Sequence, residues 1–343
     1  MKFIDDRALD RLRAAADWPD TTGTGYRLLE RVAAGGMGVV YKAEDEALGR
    51  CVALKVLGPE IAGAESGARL AREARILAQL EHPGIVPVHD AGTLPDGRMF
   101  YVMKYVAGDR LGSYSRRVTS LSDRLRTFLR ICDAMAFAHS RGFLHRDLKP
   151  DNVMVGPFGE VLVMDWGLAK ILPEQNQNPA RLPDRQSLTD SSAKPSTISR
   201  AGAATVPITH NGTILGTPGF MSPEQSRGQI DRIDTRSDVY SLGAILRFLA
   251  NEHASSQKFS NSRALRAIIS KAMAESPGGR YSSVLELAAD VSLYLDGLPV
   301  SAYRENFAER TARFYRRHQI AILLLCTYLV VRALFFLFPH PRP

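Results

Sequence analysis

The run His145-Arg146-Asp147-Leu148-Lys149-Pro150-Asp151-Asn152 gathers a candidate base, a cation and an amide within six residues. Asp147 can accept a proton, Lys149 can hold a developing negative charge, and the Asn152 amide can ligate a hard cation. Together these groups suit the movement of a phosphoryl group onto a hydroxyl, where catalysis is mostly positioning and charge stabilisation. Two further features fit that chemistry. Gly35, Gly36 and Gly38 punctuate Ala33-Ala34-Gly35-Gly36-Met37-Gly38-Val39-Val40, and backbone amides approach phosphate oxygens closely only where no side chain intervenes. Lys55 lies inside the apolar stretch Val52-Ala53-Leu54-Lys55-Val56, where a charge is costly unless paired. Taken alone, the first feature also fits a glycine-rich hairpin, and the second an edge-strand lysine.

These residues need elements to hold them. Tyr26–Val32, Val39–Ala43 and Cys51–Leu57 read as three antiparallel strands joined by turns. Ala68–Leu80 has helical spacing at Leu70, Ala74, Ile76, Leu77 and Leu80, and His82-Pro83-Gly84 ends it. Ile85–Val88 and Met99–Val106 are expected to add two strands. Beyond Gly108 the pattern turns helical, with Leu121–His139 the strongest helix, and Val153–Val155 and Val161–Met164 read as short strands. The segment 171–213 is rich in Ser, Thr and Pro and poor in large apolar residues, so it reads as a flexible insertion.

Composition narrows the classes. The apolar share of 45% is that of a chain with a real core. Cys51, Cys132 and Cys326 are far apart and the eight histidines are scattered, so neither a disulfide framework nor a His/Cys metal site is expected. Net charge is +8, and Arg304, Arg310, Arg313, Arg316 and Arg317 cluster in 301–318. That cluster directly precedes an apolar run, which favours a membrane-flanking role over nucleic-acid binding. Residues 1–20 are charged and carry no secretory signal, although 4–17 could form a short helix.

The 145–152 run resembles the catalytic loop of the protein kinases, and the other motifs follow in that family's order across about 26–298. Lys149 and the Gly-Gly-Met-Gly loop resemble the eukaryotic-like serine/threonine kinases of bacteria. The resemblance implies an α+β, bilobal fold, with a five-stranded antiparallel N-lobe (26–104) and a mainly helical C-lobe (105–298). It implies Asp147, Lys149, Lys55 and Glu73 as the catalytic set, with Glu73 pairing Lys55. It implies ATP contacts at Ala33, Ala34, Gly35, Gly36, Met37, Gly38, Val40, Ala53, Lys55, Met103, Lys104, Val106 and Met154. Met103 would be the gatekeeper, and Lys104 and Val106 would offer backbone hydrogen bonds to adenine. Asn152 and Asp165 would hold Mg²⁺ (or Mn²⁺).

The pattern is not followed everywhere. Ala33 replaces the first loop glycine, and Trp166 stands where Phe usually follows the metal-binding Asp. Ser222-Pro223-Glu224 resembles the end of the family's activation segment, and the resemblance implies that Arg280 clamps Glu224 and that Asp238 anchors the catalytic loop. Thr217 and Arg146 belong to the regulatory part, and Thr209 and Thr213 are candidate phosphosites. The stretch 249–263 is short and polar where a substrate-docking helix is usual. A pseudokinase scaffold on the same fold is the main alternative, and a small-molecule phosphotransferase the third reading.

Residues 319–338 form a run of twenty, mostly apolar, long enough for one transmembrane helix. Arg332 is the blemish, costing about 2.5–3.5 kcal/mol at a helix centre and less near an end. A buried or an interfacial helix are the alternatives. The expectation is a single-pass protein of the cell (inner) membrane with its kinase domain cytoplasmic, a basic juxtamembrane segment at 299–318 and a tail at 339–343 too short for a sensor domain. Expected partners are Ser/Thr-containing proteins and the membrane. No nucleic-acid partner is expected, and a homodimer is left open.

Overall fold

The structure, a computed structural model, describes residues 18–35, 38–57, 64–167, 169–171, 219–251, 262–304 and 306–337. The expected helix at 4–17, Gly36 and Met37 of the glycine-rich run, Thr217, and the insertion from 172 onward with Thr209 and Thr213 lie outside the described residues.

The first lobe is a five-stranded antiparallel sheet with one helix. Its strands are β1 (Tyr26–Gly35), β2 (Gly38–Asp45), β3 (Arg50–Val56), β4 (Val88–Thr93) and β5 (Met99–Lys104), in the order β1-β2-β3-β5-β4. Helix α1 (Ala64–Gln79) follows β3. Alternation along β3 sorts the residues onto two faces. Val52, Leu54 and Val56 join Tyr41, Phe100 and Val102 in a small apolar cluster on one side. Ala53 and Lys55 take the opposite face. Register places Val40 and Tyr101 beside Lys55, and Met103 beside Ala53.

Two sequence expectations shift here. The strand expected at Ile85–Val88 begins only at Val88; Ile85 makes a single parallel bridge to Val163. Ile85 and Val86 are buried against the second lobe, so their apolar character reflects the junction between lobes and not sheet pairing. Strand β5 ends at Lys104 and leaves Tyr105 and Val106 in the connection.

The second lobe begins with β6 (Asp109–Arg110), α2 (Leu111–Arg117) and α3 (Leu121–Ser140). Ser120 caps α3 by accepting the Asp123 N–H, and Gly142, at φ 78°, turns the chain after it. Short strands β7 (Phe143–Leu144), β8 (Val153–Val155), β9 (Val161–Val163) and β10 (Lys170–Ile171) frame the catalytic loop. Helices α4 (Pro223–Ser226), α5 (Thr235–Asn251), α6 (Arg263–Ala272) and α7 (Val284–Leu295) complete the lobe. One core joins the faces of α3, α5, α6 and α7 through Phe128, Ile131, Met135, Leu242, Ile245, Ile268 and Leu287.

The last helix, α8 (Phe307–Leu337), breaks helical geometry once, at His318. Among the described residues no helix is long and apolar enough to cross a membrane. The transmembrane helix expected at 319–338 therefore has no support from them; the side chains of Ala321 and 334–337, and all of Phe338, fall outside the described set.

Candidate active site

Lys55 is held in place by its neighbours. Its ammonium donates to Glu73 Oε1 at 2.8 Å and Oε2 at 2.9 Å, and to Asp165 Oδ1 at 3.4 Å. Helix α1 supplies Glu73, and Tyr101 on β5 donates its hydroxyl to the same carboxylate at 2.9 Å. Burial opposes the charge on Lys55, but Glu73 and Asp165 outweigh it and hold its pKa above the usual lysine value. The Tyr101 phenol is pushed well up by burial and by Glu73, so it stays a donor. Sequence reasoning missed Tyr101. Period-two alternation with Met103 on the register of Lys55 was the signal available.

Asp165 follows β9 with φ 62°, a left-handed conformation that costs a non-glycine residue about 1–3 kcal/mol. Its side chain is 46% exposed, enough to be reached from the cleft. Burial works against its charge, yet Lys55, then His145 and Lys149, hold its pKa below the usual carboxylate value. Trp166, the next residue, is fully buried and packs its indole against His145 at 4.7 Å. Its Nε1 has no partner among the described residues. The larger ring is thus accommodated inside the core.

The catalytic loop is pinned by its backbone. Asp238 on α5 accepts the N–H groups of His145 and Arg146, both at 2.9 Å, and pairs with His139 Nε2 at 2.8 Å. Burial alone would raise the Asp238 pKa; His139 and His145 and the Arg146 amide lower it. His145 shares Nε2 with the Met164 carbonyl at 3.0 Å and accepts the Asp147 N–H at Nδ1 at 3.3 Å. Arg146 adopts φ 69°, the second left-handed non-glycine residue among the described residues. Between these anchors the Asp147 carboxylate meets Lys149 Nζ at 2.8 Å and the Asn152 amide at 3.2 Å. The Asn152 amide also donates to the Asp147 carbonyl at 2.8 Å, which fixes the side-chain direction.

The rest of the expected cleft is distributed as follows. Gly38, φ 147°, closes β1 onto β2 opposite Gly35, and a Cβ on it would lie 2.2 Å from the Val56 carbonyl oxygen. Glycine is obligatory there. Ala33 and Ala34 pair with Val40 and Val39, so the missing first glycine is simply a ladder residue. The Lys104 N–H is taken by the Pro87 carbonyl at 3.1 Å, so a ligand would meet Lys104 through its carbonyl. Val106 is buried and Met154 half-buried on β8.

The supports predicted lower in the lobe are assembled. Arg280 grips Glu224 with two bonds, 2.7 and 2.8 Å, and Ser237 adds a third at 2.7 Å. Burial would raise the Glu224 pKa, but Arg280 and Ser237 bring it down to about 2. Gln225, which sequence reasoning did not single out, donates to the Arg146 carbonyl at 2.8 Å and so ties α4 to the catalytic loop.

Among the described residues no group of three or more His, Cys, Asp or Glu side chains could hold a metal ion. Asn152 and Asp165 offer two oxygen-bearing side chains, the donor type that Mg²⁺ or Mn²⁺ prefers, and such ions complete their shell with water and phosphate oxygens. A shared hydrogen bond joins the two segments, the Met164 N–H donating to the Asn152 carbonyl at 2.9 Å.

A bilobal fold with this cleft defines a class, and the comparisons agree. The protein kinase domain family profile matches residues 26–287, and the chain belongs to that family. Among curated relatives, the serine/threonine-protein kinase PknD of Protochlamydia amoebophila (strain UWE25) is 31% identical over 312 residues, covering 79% of this chain and 30% of that protein. The PknD of Chlamydia felis (strain Fe/C-56) is 35% identical over 309 residues, covering 80% and 31%. The chain spans about a third of the length of these relatives. A solved Mycobacterium tuberculosis PknI kinase domain superposes with a TM-score of 0.55 at 24% identity, covering 80% of this chain and 98% of that one, a likeness of fold. A doubly substituted form of that domain reaches 26% identity at the same TM-score, covering 79% and 96%.

Proposed function

We propose that this chain is an active serine/threonine protein kinase that transfers the terminal phosphoryl group of ATP to protein hydroxyls, its own included. One observation carries the reading: the Lys55–Glu73 pair is closed with Asp165 beside it, and Asp147 is positioned by Lys149 and Asn152. Kinase-fold proteins without activity commonly lack one or more of these groups; here Lys55, Glu73, Asp147, Asn152 and Asp165 are all present and arranged. Asp147 orients the acceptor hydroxyl and takes its proton at the carboxylate. Lys149 holds charge next to it, and Lys55 binds phosphate oxygens. A divalent ion held by Asn152 and Asp165 would supply charge neutralisation. Incubating the full chain with Mg²⁺ and labelled ATP, then mapping phosphosites, tests this. Transfer to Ser and Thr that disappears in Asp147→Asn supports it. ATP binding without any transfer would establish the pseudokinase scaffold.

Regulation belongs to the same reading. Arg146 has a buried Nε without a partner among the described residues, and burial, with Arg72 nearby, lowers its pKa. Two guanidinium groups at such a place favour an arriving phosphate, which brings about −1.5 to −2 charge. Phosphorylated Thr209 or Thr213 would supply it. The tail reading is membrane attachment through 319–338. It is supported by the exposed Ile320, Leu323, Leu324 and Leu325, and by the break at His318, which falls where the basic segment gives way to the apolar one. Resistance of the full chain to high-salt and carbonate extraction from membranes tests it; release by salt alone would favour an interfacial helix.

A further inference from the structure

Strand β1 lies at the edge of the first-lobe sheet, beside β2. Register shifts between Leu28 and Glu30 and between Arg31 and Ala33 break its ladder twice. Such bulges bend and twist a strand locally. The stretch between them, Glu30-Arg31, pairs with Lys42 and Tyr41. Beyond the second bulge, Ala33 and Ala34 pair with Val40 and Val39, the part of the strand pair that register sets beside Lys55. Lys42 fastens this pair to the connection between the lobes. Alternation puts it on the face of Val40, across from Ala53, with Ala53 across from Met103. Its ammonium lies 3.3 Å from Glu30 Oε1 and 5.1 Å from the centroid of the Tyr105 ring. Tyr105 stands on a fixed post. The Lys104 N–H before it donates to the Pro87 carbonyl at 3.1 Å, and Val106 after it is buried and accepts the Gly108 N–H at 3.0 Å. A Cβ on Gly108 would lie 2.3 Å from the Val155 carbonyl oxygen, so the connection is pressed onto β8.

We propose that Glu30, Lys42 and Tyr105 form a latch at the outer mouth of the nucleotide cleft, which holds the β1–β2 pair over bound ATP and lets go when ADP leaves. The inference rests on the phosphotransfer reading for the identity of the nucleotide. Lys42 is here a positioning residue: it acts through the strands that cover the nucleotide and not on the phosphoryl group. The latch joins an edge strand to the chain between the lobes, so closing it fixes the strand pair against a part of the molecule outside that pair. The bulges on either side of Glu30-Arg31 give β1 two places to bend when the contact opens. The contacts are also weak enough to break in each turnover. The Lys42 side chain is 29% exposed and that of Glu30 59%, and an exposed ion pair beside a cation on an aromatic face is held only loosely.

The test measures the affinity of the full chain for ATP and ADP with Mg²⁺ by calorimetry, beside steady-state kinetics with a mixed Ser/Thr peptide library as acceptor. Lys42→Met keeps the stem and removes the charge, and Tyr105→Leu removes the ring. Each should weaken both nucleotides, and raise KM for ATP, by about three- to fivefold, the size a partly exposed cation–π contact can give. Meanwhile kcat should hold, or rise by up to about twofold because ADP leaves sooner. Lys42→Arg and Tyr105→Phe preserve the cation and the ring face and should bind nucleotide as the unsubstituted chain does. Lys42→Met combined with Tyr105→Leu should bind no more weakly than either alone, since both remove the same contact. Unmoved affinities, additive losses in the double variant, or a fall in kcat with KM unchanged would overturn the latch. Affinity losses as expected, with no transfer to any peptide, would uphold the latch and overturn the phosphotransfer reading alone.

Discussion

Lys55–Glu73 and Glu224–Arg280 are both buried carboxylate–cation pairs, with shortest contacts of 2.8 and 2.7 Å. They are finished differently. Around Arg280 the donors are used up: besides Glu224, they meet the carbonyls of Ala274, Arg236 and Glu275 at 2.8–3.0 Å. Around Lys55 the contact is closed on the Glu73 side and loose on the other, where the 3.4 Å approach to a half-exposed Asp165 is long for a charged hydrogen bond. A fully satisfied pair fixes a fold. A pair with one weak, solvent-facing contact keeps a cation ready for an incoming phosphate. The chemistry lies in what is left unfinished, which a list of ion pairs would not separate.

The comparison can be broken most sharply at Asp147. Replacing it by Asn should lower phosphoryl transfer by about a thousandfold or more, because in the proposed reaction positioning and charge supply nearly the whole of catalysis. Thermal unfolding should shift little, since the loop is held through backbone groups bonded to Asp238. A variant that retained near-normal transfer would remove Asp147 from the mechanism.

Arg280→Ala tests the other pair. It strands Glu224 in a buried site and should cost about 3–5 kcal/mol, measured by urea unfolding. If the loss were under 1 kcal/mol, about the value of an exposed pair, the pair would be ornamental.

Acid should reveal the same pair. Glu224 has its pKa lowered from 4.5 to about 2 on folding. Its contribution is therefore complete above about pH 4.5, and it is lost as pH falls toward 2. In Glu224→Gln that part of the acid dependence should vanish, leaving a flatter stability profile between pH 4.5 and 2. Equal slopes in the two proteins would contradict the assignment.

The smallest effect is expected at Tyr101→Phe. It removes one hydrogen bond to Glu73 and should cost about 1 kcal/mol with a few-fold fall in transfer. An unchanged rate would show that Glu73 needs only Lys55.

Much of this arrangement was legible because motifs carry local geometry. Lys55 with Glu73, Asp147 with Asn152, Glu224 with Arg280 and Asp238 under the loop are all brought together as their motifs imply. What stayed hidden depends on contacts between distant segments. Tyr101 reaches Glu73 only because β5 pairs with β3 in one register, and Gln225 reaches Arg146 only after α4 docks. Ile85 and Val86 looked like strand because burial between lobes selects the same side chains as burial in a sheet. At the C-terminus a long apolar run suggested a membrane span, and hydropathy alone does not decide what covers such a helix.

Asp290 has a quieter consequence. On α7 it accepts the Ser301 N–H at 2.7 Å, the Ser301 hydroxyl at 2.8 Å and the Ala302 N–H at 3.0 Å. The chain therefore leaves the catalytic lobe from a fixed stitch. From there to the break at His318 the helical part of the path is about 16 Å long, at about 1.5 Å per residue. If the far end is held at a bilayer as proposed, stitch and spacer act as a short tether. The cleft would then sweep a thin shell above the surface, and proteins confined to that shell would meet it far more often than those diffusing freely.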